Sequence, residues 1–469
     1  MKSKLIVMML LSGVVLAGCT DWLDVRSKTA VDEEELFSRE MGFKEALTGI
    51  YTQMAGSDLY GRSLTYGFID RLAQRYRENN SALYDFPSWA NESYVNSIWK
   101  RTYNVIANIN NLLAWIEERP EVISTPGYLE IIKGEALGLR AFLHFDLLRL
   151  WGPVYKENPA SPAIIYRTQF NRENKGLVPA NEVLAYILQE LDEAERLLAN
   201  DPMIIEFPAR ETIDARDNFL KKRFKRMNLY AVKALKARVY LWAGDKTNAF
   251  KYAQEVINGK DATGKPYFAL VTNNASDGIF STEIIFSMSI ADFSTQVTGD
   301  FGFNSQSYYI EGIAAFNELF NTAIDGTNDM RYRSGQGFDV TVNSACTRKY
   351  VQTGLYSEVV RNTLPLIRLS EMYYIMAECT HDINQAYGWI YDVCDARAMG
   401  DLPLFANEES MLDRLRIEYC KEFYAEGQYW YFLKRHNIKE FVSWMSHIEF
   451  DESRYRFSIP EDEKVLGTI

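Results

Sequence analysis

The chain has 469 residues with 51 basic and 63 acidic side chains, a formal net charge of −12. That acidity argues against nucleic acid and anionic lipid headgroups as partners, because both require clustered positive charge. Aromatic residues make up 14%, including 29 Tyr and 9 Trp, which excludes a disordered chain and suits either a large core or a surface that stacks on flat ligands.

The first element is an export signal: Lys2 and Lys4 precede an uncharged apolar run from Leu5 to Ala17. The run is too short to span a membrane, which takes roughly 20 apolar residues. It ends in Leu16-Ala17-Gly18-Cys19, which resembles the lipobox of bacterial lipoproteins. The resemblance implies removal of residues 1–18 and acylation of Cys19, and several acyl chains on one residue anchor durably. Loss of Lys2 and Lys4 leaves 49 basic against 63 acidic residues, a net charge of −14. No later segment approaches 18 uninterrupted apolar residues, so the remainder reads as a soluble body on a short tether, residues 19–38.

From residue 40 onward, apolar residues recur at helical spacing, interrupted by long polar and aromatic stretches. The fold is predicted to be mainly α, with helices over about 40–55, 91–118, 128–150, 180–199, 227–243, 246–258, 313–320, 364–380, 382–398 and 409–435. Trp151-Gly152-Pro153 ends the third of these, since proline cannot continue the hydrogen-bond ladder. Ala231 to Ile257 reads as helix, tight turn at Gly244-Asp245, and helix, with Ala234, Ala237, Ala249 and Ala253 at close-packing positions. This resembles a tetratricopeptide hairpin. Residues 364–398 and 91–150 form further pairs, so the chain reads as several helical hairpins separated by insertions. The insertions at about 56–90, 154–179, 200–226, 259–312 and 326–362 are long enough to carry function and short strands, such as Glu283 to Ser287.

Most chemical motifs dissolve on inspection. Gly259-x-x-x-x-Gly264-Lys265 has phosphate-loop spacing, but Pro266 stands where Ser or Thr would hold magnesium. The four histidines lack zinc-protease spacing, and His144 reads as a hydrogen-bonded packing residue. Asp325 to Asp329 lacks the glycine and terminal glutamate of a calcium loop and reads as a polar turn. Cys346, Cys379, Cys394 and Cys420 are spaced irregularly and read as buried thiols. Glu418, Glu422 and Glu426, with Arg414, Arg416 and Lys421 nearby, read most simply as a charged helix face with local pairs, the alternative being a contact that fixes helix hairpins together or touches a partner. No metal, cofactor or catalytic nucleophile is indicated, so the chain is read as a non-enzyme.

Four stretches together resemble the SusD/RagB family of Bacteroidetes outer-membrane nutrient-binding lipoproteins. They are Cys19 to Val25 with Phe43, Ala46, Leu47 and Tyr51; Gly134 to Leu137 with Leu139 to Phe142, Asp146-Leu147 and Trp151 to Pro153; Ala234 to Leu241 with Gly244-Asp245 and Ala253; and Ile367 to Tyr374 with Ala377-Glu378, Glu418, Lys421 to Phe423, Glu426-Gly427, Leu433 to Arg435, Ile459-Pro460 and Glu463. Tyr429 or Trp430 stands where the family often has arginine, and its Asn-x-x-Arg element is matched only loosely by Val393 to Met399. The resemblance implies a single helical body over 39–469, scaffolded by about four tetratricopeptide-like units, with an N-terminal part of about 39–260 and a C-terminal part of about 261–469. It also implies lipid anchorage on the outward face of the outer membrane and a SusC-like TonB-dependent barrel as partner. The ligand would be a glycan or oligosaccharide. A peptide-binding lid and a protein-only tetratricopeptide scaffold are the alternatives.

Aromatic residues outside the helical periodicity are the candidate ligand contacts. Sugar rings have an apolar face edged by hydroxyls, so their sites pair flat rings with amides and carboxylates. Two segments supply this combination. From the first, Tyr76, Asn80, Tyr84 and Trp89 are chosen; from the second, which spans Phe301 to Tyr309, Phe303 and Tyr308.

Overall fold

The structure, a computed structural model, describes residues 33–76, 89–173, 175–202, 219–275, 277–301, 308–351, 360–442, 447–449 and 452–466. Ten helices form its frame: α1 (Glu40–Met54), α2 (Trp89–Glu118), α3 (Tyr128–Trp151), α4 (Ala180–Leu197), α5 (Leu229–Ala243), α6 (Lys246–Ile257), α7 (Leu369–Cys379), α8 (Ile383–Ala396), α9 (Glu408–Glu422) and α10 (Gln428–His436). Each packs against the next in this order. The result is a stack of helical hairpins, as the tetratricopeptide-like periodicity predicts. The connection from α6 to α7 is the longest, yet these two helices pack directly on each other, so the residues between them loop out of the stack. Among the described residues, no helix is long and apolar enough to cross a membrane.

Local sequence sets the helix ends. Asn228 accepts a hydrogen bond from the Ala231 N–H at the start of α5, Asp245 does the same for Asn248 at α6, and Asn407 forms a capping box with Ser410 at α9. Gly138 lets α3 lie close to its neighbours, because a Cβ there would come within 2.6 Å of the Met227 side chain. The end of α3 is held from outside: the buried Lys434 donates from Nζ to the carbonyl of Gly152 at 2.8 Å and to that of Leu150 at 3.4 Å. Those carbonyls have no partner within the helix, and the amine supplies their donor; burial, with Arg456 and Arg149 nearby, holds that amine well below the usual lysine range.

Two helix predictions need correction. The predicted helix over 364–380 begins as a strand: β2 (Thr363–Arg368) pairs antiparallel with β1 (Ile284–Ser289), the strand foreseen within the insertion, and α7 starts only at Leu369. All six β2 residues are buried, and a short continuous apolar run does not distinguish a buried strand from a buried helix. The predicted helix over 409–435 is two helices, broken between Glu422 and Gln428, where Ala425 and Gly427 take φ of 65° and 76°. At Gly427 a Cβ would sit 3.0 Å from the carbonyl oxygens of Leu64 and Thr65, so the chain passes too close for any side chain.

The polar residues of the recurring motifs are buried between helices. Glu135 on α3 accepts hydrogen bonds from Tyr51 of α1 at 2.6 Å and Arg226 at 2.8 Å, and also from Arg223. Arg238 on α5 donates to both oxygens of Glu371 on α7. Arg435 pairs with Glu378, and Tyr60 donates to Asp146 at 2.7 Å. Apolar packing gives the stack its stability, and these bonds fix which helix faces which.

The simplest reading of Glu418, Glu422 and Glu426, a charged helix face with local pairs, gives way to its alternative, a contact that fixes elements of the fold together, although the local pair of Arg414 with Glu418 is present. Glu418 and Glu422 are fully buried and Glu426 is 4% exposed. Glu422 takes hydrogen bonds from Arg331, Arg368 and Arg397 at 2.6–3.1 Å, while Glu418 takes them from Arg331 and Arg414. Burial alone would raise the Glu422 carboxyl, but Arg397, Arg368 and Arg331 hold it well below the ordinary carboxylate range. The remote arginines were invisible to a search for i, i+4 partners. Asp325 and Asp329, read as a polar turn, belong to the same network: Asp325 pairs with Arg414 and Lys421, Asp329 with Arg331. The four cysteines after Cys19 are free and buried.

Candidate functional site

The two aromatic segments meet. Arg62, from the first insertion, donates from Nε and Nη2 to the Asp300 carboxylate at 3.1 and 2.6 Å, and Tyr66 donates to the same carboxylate at 3.1 Å. Gln296 donates from Nε2 to the Gly61 carbonyl and to the Tyr66 hydroxyl oxygen. A bidentate guanidinium–carboxylate pair fixes orientation as well as distance, so it sets the register of one segment on the other.

Behind this clamp the rings of Tyr66, Tyr76, Phe301, Tyr308 and Tyr350 pack together. The Tyr76 centroid lies 4.9 Å from that of Tyr308 and 5.9 Å from that of Phe301, and Tyr66 lies 6.1 Å from Tyr308. Tyr76 and Tyr308, two of the six ring and amide candidates, are therefore direct neighbours, though 232 positions separate them. They are 0% and 5% exposed, so both rings are part of the wall and neither lies open to solvent. The Arg62 side chain is 35% exposed and forms the solvent-facing edge, with its guanidinium 5.4 Å from the Tyr308 ring centre. Tyr76 immediately precedes residues 77–88, while Phe301 and Tyr308 flank 302–307, so the chain enters both stretches from one spot. Asn80, Tyr84, Phe303 and Cys19 lie outside the described residues. Trp89 opens α2, and its side chain also lies outside them.

Below the wall sits Asp70, fully buried. It accepts from the Gly427 N–H at 3.0 Å and from the Tyr76 hydroxyl at 3.3 Å. Burial pushes its carboxyl up to about 7, against the opposing pull of Arg75.

The sequence did not point to a second concavity, formed by α2, α3 and the loop after Pro162–Ile164. Two adjoining cavities of about 580 and 430 Å³ share Asn110, Gln169, Phe170 and Asn171. The loop is held rigidly. His144 accepts from the Arg167 N–H at 3.1 Å through Nε2, and its Nδ1 bonds the Arg140 carbonyl, so His144 is the packing residue it was read to be. Asn110 donates to the carbonyls of Arg167 and Gln169, and Phe170 is left 54% exposed at the tip. A single exposed ring among amides gives only a weak sequence signal.

Residues 21–215 match a SusD-like family profile described as starch-binding and associating with the outer membrane, and residues 332–459 match the SusD family profile. Two SusD-like proteins of Formosa agariphila are 26% identical over 200 residues and 20% identical over 299 residues. These alignments cover 41% and 60% of this chain but only 36% and 50% of those proteins, so the chain spans between a third and half of the relatives it matches. A SusD superfamily protein from Bacteroides thetaiotaomicron superposes with a TM-score of 0.71 at 22% identity, covering 91% of this chain and 98% of its own. A structure described as a SusD-like carbohydrate binding protein, from Bacteroides vulgatus, gives 0.69 at 17% identity, covering 91% and 96%. At these identities the structures establish the fold.

Proposed function

The chain belongs to the SusD/RagB family, and from that premise we propose that it is a non-enzymatic, lipid-anchored binding protein of the outer membrane that captures a glycan or oligosaccharide. It passes the ligand to a SusC-like TonB-dependent barrel. Cys19 is the anchor, residues 20 to about 38 the tether, and the helical stack the body that presents the site. The observation that carries this reading is the junction of the two aromatic segments through Arg62 and Asp300. Sequence alone marked both segments for sugar-type chemistry, and their described residues Tyr76, Phe301 and Tyr308 are in contact. In this reading Tyr76 and Tyr308 stiffen the floor, while Asn80, Tyr84, Trp89 and Phe303 supply amide and ring contacts. Flat rings lose little side-chain freedom on binding, which suits a passive capture surface.

The test is affinity electrophoresis of the purified body through gels containing single polysaccharides. Wild type is retarded by at least one glycan, and Tyr84→Ala and Trp89→Ala each reduce the retardation with unchanged melting temperature. Retardation by no polysaccharide, together with heat released on titrating peptides, overturns the glycan reading in favour of a peptide lid.

A further inference from the structure

Beside the aromatic wall, Gln74 and Arg75 line a cavity of about 320 Å³ with Leu319, Cys420 and Tyr429, near the low end of the range for small-molecule sites. Arg75 is 6% exposed and Gln74 1%. Arg75 donates from Nε to the Ala73 carbonyl at 2.9 Å and from Nη1 to the Cys420 sulfur, and its guanidinium lies 4.6 Å from the centre of the Tyr429 ring. Among the described residues no carboxylate pairs with it. Asp70 acts on it only at longer range, its oxygens accepting from Gly427 and Tyr76. Arg331, Arg368, Arg397 and Arg414, by contrast, each hold a carboxylate within 2.7 Å.

Gln74 is the second half of the observation. Its Oε1 is buried with no hydrogen-bond donor, and its backbone stands at φ 59°, in the left-handed region. A buried cation with no carboxylate in hydrogen-bonding contact and a buried acceptor without a donor each carry a desolvation cost, and here they are consecutive residues on one cavity. A carboxylate would satisfy the first and an adjacent hydroxyl the second. Arg416 adds a second guanidinium to the lining, and Glu318, exposed, is its acidic member and a further acceptor for hydroxyls.

We propose that this cavity binds a uronic acid residue of an acidic glycan, its carboxylate on the Arg75 guanidinium and a ring hydroxyl donating to Gln74 Oε1. The inference rests on the glycan reading and narrows its substrate class. The acidic surface of the chain sharpens the point, since long-range charge opposes an anionic ligand and a local cationic pocket is what would select one.

Calorimetric titration of the whole mature chain with trigalacturonate, maltotriose and trialanine tests it. Trigalacturonate should bind about tenfold or more tightly than maltotriose. Gln74→Glu, which sets a competing carboxylate beside Arg75, should weaken trigalacturonate by a similar factor. Arg416→Gln, at a half-buried position that tolerates change, should weaken trigalacturonate alone and severalfold less. Maltotriose binding as tightly as trigalacturonate, or uronate binding insensitive to both variants, overturns this inference while leaving the glycan reading intact. Binding of trialanine alone overturns both.

Discussion

Arg238 and Glu371 lie 133 residues apart in sequence and form two parallel hydrogen bonds, of 2.7 and 2.6 Å, inside the stack, with side chains only 6% and 5% exposed. Arg238 also donates to the Leu366 carbonyl at 3.0 Å, so one guanidinium ties α5 both to β2 and to α7. Removing one member of a buried pair leaves the other charged and desolvated. Glu371→Gln should therefore cost about 3–5 kcal/mol, whereas Arg238→Met combined with Glu371→Leu should cost much less. Urea unfolding of the two variants reads the difference.

The network around Glu422 predicts where acid unfolds the protein. The carboxyls of Glu418, Glu422 and Glu378 are all held below their ordinary range by guanidinium groups that outweigh burial. A depressed carboxylate stabilises the fold fully above its unfolded value, near 4.3, and loses that contribution as pH falls toward the folded value. Unfolding free energy should drop steeply below about pH 4.3, and Glu422→Gln should flatten that limb while lowering stability at pH 7 by about 3–5 kcal/mol.

His144 contributes in a different window. Burial, then the nearby Arg140, lowers the imidazole to about 3, so it is neutral in the fold and charges in the unfolded chain near 6.5. Between pH 6.5 and about 3 the unfolded state binds the extra proton, and stability falls with acidity. The NMR signal of His144 should not titrate above pH 4, and His144→Phe should remove this slope while loosening the loop at Arg167.

Asp70 has the opposite sign. Its carboxyl stands at about 7 in the fold and near 3.9 when unfolded, so the folded state holds the proton across that interval and stability declines as pH rises through it. Asp70→Asn keeps an acceptor for the Gly427 N–H and should be at least as stable as wild type above pH 7. Equal slopes in the two proteins between pH 4 and 7 would show that Asp70 does not carry the effect.

The sequence was informative wherever a property depends on neighbours along the chain. Periodicity placed the helices, and Asn228, Asp245 and Asn407 marked their starts, because capping is settled within three or four residues. The apolar run of β2 was misassigned because burial on all sides hides the period of two. The Glu418 and Glu422 face was misread for a related reason: helical spacing reveals partners four residues away, but not Arg331 or Arg368 at the far end of a long loop. At the site, composition selected the two aromatic segments without showing that Arg62 and Asp300 join them.

By itself, then, the sequence determined the helical stack and the family, since each is written in short-range pattern or ordered motifs. Only the tertiary structure decided which charges are buried, that Tyr76 and Tyr308 form a wall, and that Arg75 and Gln74 share a cavity. The physical reason is that desolvation is a property of the packed surroundings, and a residue's surroundings come from chain hundreds of positions away.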